Sequence, residues 1–172
     1  LKLAKKRYSV RSFSDKKVEK EKLDLILEAG RVAPTAVNYQ PQRIIVIEKE
    51  EDMAKLNLCT RFHFNQTLDL LVCYDKNVSW KRKFDNEDMG DVDATIVATH
   101  MMLAAESLGI GSTWVGYFDP ALVKEQFNLP ENIIPVAILM MGYPSENAQP
   151  SPMHFQRFDL SVTTFYGSYP DK

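Results

Sequence analysis

Arg7-Tyr8-Ser9-Val10-Arg11-Ser12-Phe13 sets two guanidinium groups around a hydroxyl. Charge-assisted hydrogen bonds from such a set hold a phosphate, and the arginine fork suits a bidentate anion better than a lysine does. Two further stretches follow it in the chain. Pro34-Thr35-Ala36-Val37-Asn38-Tyr39-Gln40-Pro41 offers amides at Asn38 and Gln40, matched to an alternating pattern of ring nitrogens and carbonyls. Gly109-Ile110-Gly111-Ser112-Thr113-Trp114-Val115-Gly116 follows a long apolar pattern and lets main chain approach a flat ligand closely. Anion anchor, edge reader and ring platform are the parts of a site for a flat heterocycle that carries a phosphate. Alone, Lys2, Lys5, Lys6 and Arg7 would read as the solvated face of a first helix. The order of the three stretches argues against that reading.

Outward from these stretches, the chain reads as alternating helices and strands with no repeat, low-complexity tract or internal linker. Between Val18 and Val32, Leu23, Ile26, Leu27 and Gly30 recur at helical spacing and the pattern ends before Pro34. Arg43 to Glu48 and Leu68 to Tyr74 are apolar on both faces, as inner strands of a covered sheet are. Asp88 to Leu108 is too apolar for a helix standing in solvent, which predicts a central or interface helix. A shorter helix is expected from Pro120 to about Asn128, and Pro135 to Met141 predicts a third buried strand. The last stretch carries Pro150, Pro152, Pro170 and several aromatics, and such a tail needs a surface to lie on.

Length and charge set the frame. The 172 residues predict one domain, spanning 1–172, able to bury roughly 70% of the surface the unfolded chain exposes. Lys plus Arg total 21 against 23 for Asp plus Glu, a net charge of −2, so no global field draws nucleic acid or an acidic membrane. Cys59 and Cys73 lack a metal-ligand spacing, and Cys73 reads as a small buried hydrophobe. His63, His100 and His154 share no ligand spacing, so no metal site is expected and none is assigned to catalysis. Met101, Met102, Met140 and Met141 read as core fillers, and Asp91 and Asp93 as surface or cap groups. The chain opens without Met, shows no signal-peptide pattern and contains no run of about 18 apolar residues, from which a cytoplasmic location is expected.

The ordered set resembles the FMN-dependent nitroreductase family, with its Arg-x-Ser-x-Arg/Lys-x-Phe start, its Pro-Ser-x-x-Asn-x-Gln-Pro-Trp segment and its Leu-Gly-Ile-Gly turn. The resemblance extends to the Pro135–Pro144 strand and turn and to Arg157 near the C-terminus. It implies an α+β fold, a central mixed or antiparallel sheet flanked by helices, in an intertwined homodimer whose tail, about 150–172, wraps the partner. It implies FMN as cofactor and NAD(P)H as electron donor. The implied reaction is reduction of an organic acceptor such as a nitroaromatic or quinone by hydride transfer through flavin N5. A non-catalytic FMN-binding or redox-sensing dimer is the alternative, with dehalogenase or flavin-fragmenting chemistry as specialised variants.

Carried over residue by residue, the resemblance puts Arg7, Ser9 and Arg157 on the phosphate, with Tyr8 beside them, and Arg11 at the ring. There its charge favours the reduced, more negative ring. Pro34, Thr35, Ala36, Asn38 and Gln40 match the segment that reaches the flavin held mainly by the other subunit. Asn65 resembles a reader of the pyrimidine edge. Thr113, Trp114, Val115 and Gly116 match the loop at N5, with the Gly116 backbone nearest that atom and Trp114 available to stack a substrate. The chain departs from the family at Gln42, Val115 and Phe155, where the family has Trp, in some members an acidic residue, and often a second basic residue.

Overall fold

The computed structural model describes residues 1–169; Pro170, the last proline of the expected tail, lies outside the described residues. Its helices are α1 (Lys2–Lys6), α2 (Lys20–Arg31), α3 (Glu50–Cys59), α4 (Gly90–Ser107), α5 (Pro120–Gln126) and α6 (Leu160–Thr163). Its strands are β1 (Gln42–Ile47), β2 (Leu68–Asp75), β3 (Gly111–Val115) and β4 (Ile133–Gly142). They form one sheet in the order β1-β2-β4-β3, and each of these pairings is antiparallel. This is an α+β architecture, with the antiparallel of the two expected sheet types.

β4 reads as an apolar run, and β2, up to its last residue, as one interrupted at Asp69, because both faces of the sheet are covered. On one face Leu70, Val72, Leu139 and Met141 pack with Ile26 of α2 and with Val97 and Met101 of α4. On the other, Leu71, Cys73, Ile138 and Met140 pack with Leu56 of α3, Val123 of α5, and Val10 and Phe13 of the N-terminal segment. β1 departs from its expected inner place. It is an edge strand paired only with β2, and Arg43 and Val46 are exposed along it. Its β-branched composition was the same as an inner strand's, so only pairing distinguishes the two.

α3 had no clear sequence signal. Its acidic first turn, Glu50, Glu51 and Asp52, suits the positive end of a helix, but only Leu56 and Cys59 are buried, too few to set a period. α4 is the expected central helix, burying Ala94, Val97, Ala98, Met101 and Ala105. No helix among the described residues is long and apolar enough to cross a membrane.

Residues 9–13 run beside β3 and bring the arginine motif to it. Ser9 bridges Ser112, the Val10 N–H donates to the Ser112 carbonyl at 3.1 Å, and Phe13 bridges Pro144. Of the glycines in Gly109-Ile110-Gly111, expected to form a ring platform, Gly111 serves this packing and Gly109 the turn after α4. Gly109 ends α4 in the left-handed conformation at φ +76, and a Cβ on Gly111 would stand 2.7 Å from Val10 Cγ2. The segment read as a ring-facing loop is in large part the strand β3.

Candidate functional site

Two adjoining cavities open where residues 7–11, β3 and the C-terminal tail meet. The first, about 500 Å³, is lined by Arg7, Ser9, Arg11, Ser151, Met153, His154 and Arg157. α1 holds its lysines in solvent and ends at Lys6, so Arg7 turns away from them and is half-buried. Its Nη1 is buried with no hydrogen-bond partner among the described residues. Arg157 is exposed and donates from Nη1 to the carbonyls of Gln156 at 2.6 Å and Met153 at 3.2 Å. Tyr8 packs behind, its ring edge-on to His154 with centroids 6.2 Å apart. Among the described residues, no carboxylate lines this cavity.

The second cavity, about 120 Å³, is lined by Arg11, Phe62, Phe64, Thr113, Trp114, Val115, Gly116 and Tyr117. Arg11 therefore stands where the two meet, its guanidinium 3.4 Å from the Ser9 carbonyl. Phe62 and Phe64 stack with centroids 5.9 Å apart and Tyr117 meets Phe62 edge-on at 5.9 Å, which makes an aromatic wall. At Gly116 a Cβ would meet only Trp114 Nε1 at 3.6 Å, so its backbone faces open space. Asn65 lines neither cavity; it takes φ 60 and donates from Nδ2 to the Phe13 carbonyl at 3.3 Å.

Pro34, Thr35, Ala36, Asn38 and Gln40 also line neither cavity. Their segment leaves α2 and enters β1, and it is strained. Val37, Asn38 and Gln40 take φ 55, 56 and 51, a left-handed conformation that costs a β-branched residue of order 1–3 kcal/mol. Asp93 of α4 pins it. That side chain is 2% exposed, and its Oδ1 accepts from the Ala36 N–H at 2.8 Å. Thr35 adds a second tie, its Oγ1 accepting from the Gln40 N–H at 3.0 Å. Asp93 thus departs from its expected surface or cap role, because the residues it serves are far away in sequence.

Sequence reasoning also missed His154, Ser151, Phe62, Phe64 and Tyr117 as cavity residues. Each is unremarkable in its own neighbourhood, and the aromatic alternation Phe62-x-Phe64 was the one available signal. The remaining chemistry-bearing groups lie apart from the cavities. Cys59 and Cys73 are buried free thiols, and burial pushes Cys73 up to about 12, far from a nucleophile's range. Polar donors, fixed cations and aromatic faces line the cavities, so they are equipped to bind and orient a flat anion.

Comparison with known proteins gives the same outline. The sequence profile of the Nitroreductase family matches residues 4–76 and 66–143. A crystal structure of a nitroreductase family protein from Clostridium difficile 630 superposes with a TM-score of 0.92 at 45% identity, covering 97% of each chain. An FMN-dependent nitroreductase from Clostridium difficile R20291 superposes with a TM-score of 0.75 at 27% identity, covering 91% of this chain and 97% of that one. A protein of Archaeoglobus fulgidus provisionally named NADH dehydrogenase/NAD(P)H nitroreductase is 33% identical over 155 residues, 85% of this chain and 86% of that protein.

Proposed function

This chain belongs to the nitroreductase family, and we propose that it is an FMN-dependent oxidoreductase that takes electrons from NAD(P)H and reduces an organic acceptor such as a nitroaromatic or a quinone. The observation that carries this reading is the buried Nη1 of Arg7, unpartnered among the described residues, in a cavity that these line with three arginines and no carboxylate. A buried donor left unpaired costs about 1–3 kcal/mol, and a phosphate oxygen removes that cost. Arg7, Ser9 and Arg157 would hold the FMN phosphate. FMN, when bound, would supply the hydride-transfer chemistry. Arg11 would set a fixed positive charge against the ring. The Thr113–Gly116 backbone and the wall of Phe62, Phe64 and Tyr117 would orient the ring and exclude water on one side while leaving room for an acceptor.

We assign the working unit as a homodimer in which Pro34 to Gln40 of one copy complete the site of the other. Two features support this. The segment is held strained by Asp93 yet lines neither of the two cavities formed by the described residues. The tail beyond Pro150 leaves Phe158 81% and Tyr166 96% exposed, apolar surface that a second copy would cover.

Mass spectrometry of the chromophore extracted from purified protein tests the cofactor: FMN is expected, and FAD alone or no flavin uptake sinks the claim. Steady-state oxidation of NADH and NADPH with a quinone then tests the activity. Mixed dimers test the shared site. Arg7→Ala and Asn38→Ala homodimers should both bind FMN weakly, whereas the heterodimer should regain one tight site because both lesions fall in the same one. A monomer that retains FMN in light scattering would show that the site converges within one chain.

A further inference from the structure

The arginines of this chain fall into two groups. Arg31, Arg43 and Arg82 each meet a carboxylate, from Glu28, Asp75 and Asp85. Arg7, Arg11, Arg157 and Arg61 form no ion pair among the described residues. Arg7, Arg11 and Arg157 line the cavities of the proposed FMN site. Arg61 has no part in that reading; it lines a neighbouring hollow that shares Tyr117 with the second cavity.

Its position is built rather than incidental. The guanidinium carbon lies 4.5 Å from the Tyr117 ring centroid and 5.3 Å from that of Phe62, both residues of the aromatic wall. The loops that carry these side chains are tied to each other. Thr60, 6% exposed, donates from Oγ1 to the Tyr117 carbonyl at 2.7 Å and accepts from the Phe62 N–H at 3.3 Å. The Asp119 N–H donates to the Cys59 carbonyl at 2.8 Å. Asp119 lines the same hollow of about 450 Å³ as Arg61, and its Oδ1 is engaged by the N–H groups of Ala121 and Leu122 at the start of α5. Arg61 therefore forms no direct ion pair among the described residues while two aromatic rings limit where it can point. A planar cation so held loses little further freedom on pairing with a carboxylate or phosphate.

We propose that Arg61 is a specificity residue that binds an anionic group, carboxylate or phosphate, on a flat molecule stacked against Phe62 and Tyr117. This rests on the oxidoreductase reading for the identity of that molecule: an acceptor with an acidic ring substituent, or the donor through the additional phosphate that distinguishes NADPH from NADH. The cleft then prefers anionic planar acceptors to neutral ones of the same size, or NADPH to NADH.

The test uses FMN-loaded protein, wild type, Arg61→Gln and Arg61→Lys, with 4-nitrobenzoate and 4-nitrobenzyl alcohol as a matched charged and neutral pair. Calorimetric titration without reductant measures binding, and steady-state kinetics with NADPH and NADH measure KM and kcat. Arg61→Gln is expected to lower the binding preference for nitrobenzoate over the alcohol about tenfold. The loss should fall in KM rather than kcat, and Arg61→Lys should recover part of it. A loss confined to the NADPH to NADH ratio would instead identify the donor phosphate as the anion and sustain the site. Equal weakening of both nitro compounds and both nucleotides, or no change in any, would overturn the proposal and leave Arg61 as part of the wall. Wild-type protein that binds nitrobenzoate in an Arg61-dependent way but oxidises no NAD(P)H would overturn the activity and leave the anion site standing.

Discussion

β2 and the C-terminal tail are both rich in large apolar side chains, and the chain treats them in opposite ways. From Leu68 to Tyr74 every residue of β2 is buried between two helical layers. In the tail Met153, Phe155, Phe158, Leu160 and Tyr166 are all largely exposed, and neither the short turn at 152–155 nor α6 has a buried residue. The difference teaches that apolar content alone does not decide burial: a strand in mid-sheet has neighbours on both sides and both faces, whereas the tail lacks such neighbours among the described residues.

The contrast breaks first on stability. Leu70→Ala, at a side chain with no exposed surface, should cost about 2–5 kcal/mol in urea unfolding. Phe158→Ala should leave monomer stability nearly unchanged while shifting a dimer dissociation curve read by light scattering. Equal costs for the two would show that the tail is packed on its own chain.

Asp69 is the polar exception within β2, and it sharpens the comparison because burial that suits its neighbours penalises it. Fully buried, with Oδ1 unpartnered and Oδ2 accepting from Gln66 Nε2 at 3.2 Å, it is pushed up to about 7 by desolvation. The folded chain therefore holds this proton more tightly than the unfolded one. Its stabilising contribution is complete below about pH 4 and declines as pH rises through the window to about 7, by about 1.4 kcal/mol per pH unit at most. Asp69→Asn should flatten the fall in unfolding free energy between pH 5 and 7; an identical slope in both proteins would refute the assignment.

Body and tail meet at the first cavity, and its two ends should differ in weight. Arg7→Ala, which removes the half-buried guanidinium, should weaken FMN binding by about 2 kcal/mol, roughly 30-fold in a titration of apoprotein. Arg157→Ala, whose side chain is exposed and bonded to its own backbone, should cost only about threefold. The reverse order would make the tail the principal anchor. Smallest is Asp93→Asn, which keeps the shape and leaves an amide oxygen to accept from the Ala36 N–H; about 0.5 kcal/mol, roughly twofold, is expected in FMN affinity. An unchanged affinity would show that the 34–40 segment holds its shape without Asp93.

Much of the fold was legible in the sequence because long apolar patterns report their own period. α2 and α4 begin within two residues of the expected starts, and β2 and β4 lie where continuous apolar runs placed them. β1 was read as an inner strand, and Gly109 and Gly111 as ligand-facing, since composition is silent on which neighbour a strand or glycine will meet. For the candidate site, the sequence pointed to Arg7, Ser9, Arg11, Arg157 and Thr113 to Gly116, and these do line the two adjoining cavities. Asn65 and Pro34 to Gln40 stand outside them in one chain, and Phe62, Phe64, Tyr117 and His154 join them without having announced themselves.

By itself, the sequence determined what is local or periodic: where helices and inner strands run, which residue types collect to hold an anion, and, through the ordered stretches, the family. The tertiary structure alone decided what depends on contacts between distant residues. It made Asp93 a buried clamp on Ala36, paired some arginines with carboxylates while leaving Arg7 and Arg61 without one among the described residues, and set a guanidinium on the ring of Tyr117. The reason is physical: a residue's propensity acts through its near neighbours in the chain, whereas its charge, burial and partners are fixed by whatever the fold carries to within a few ångströms of it.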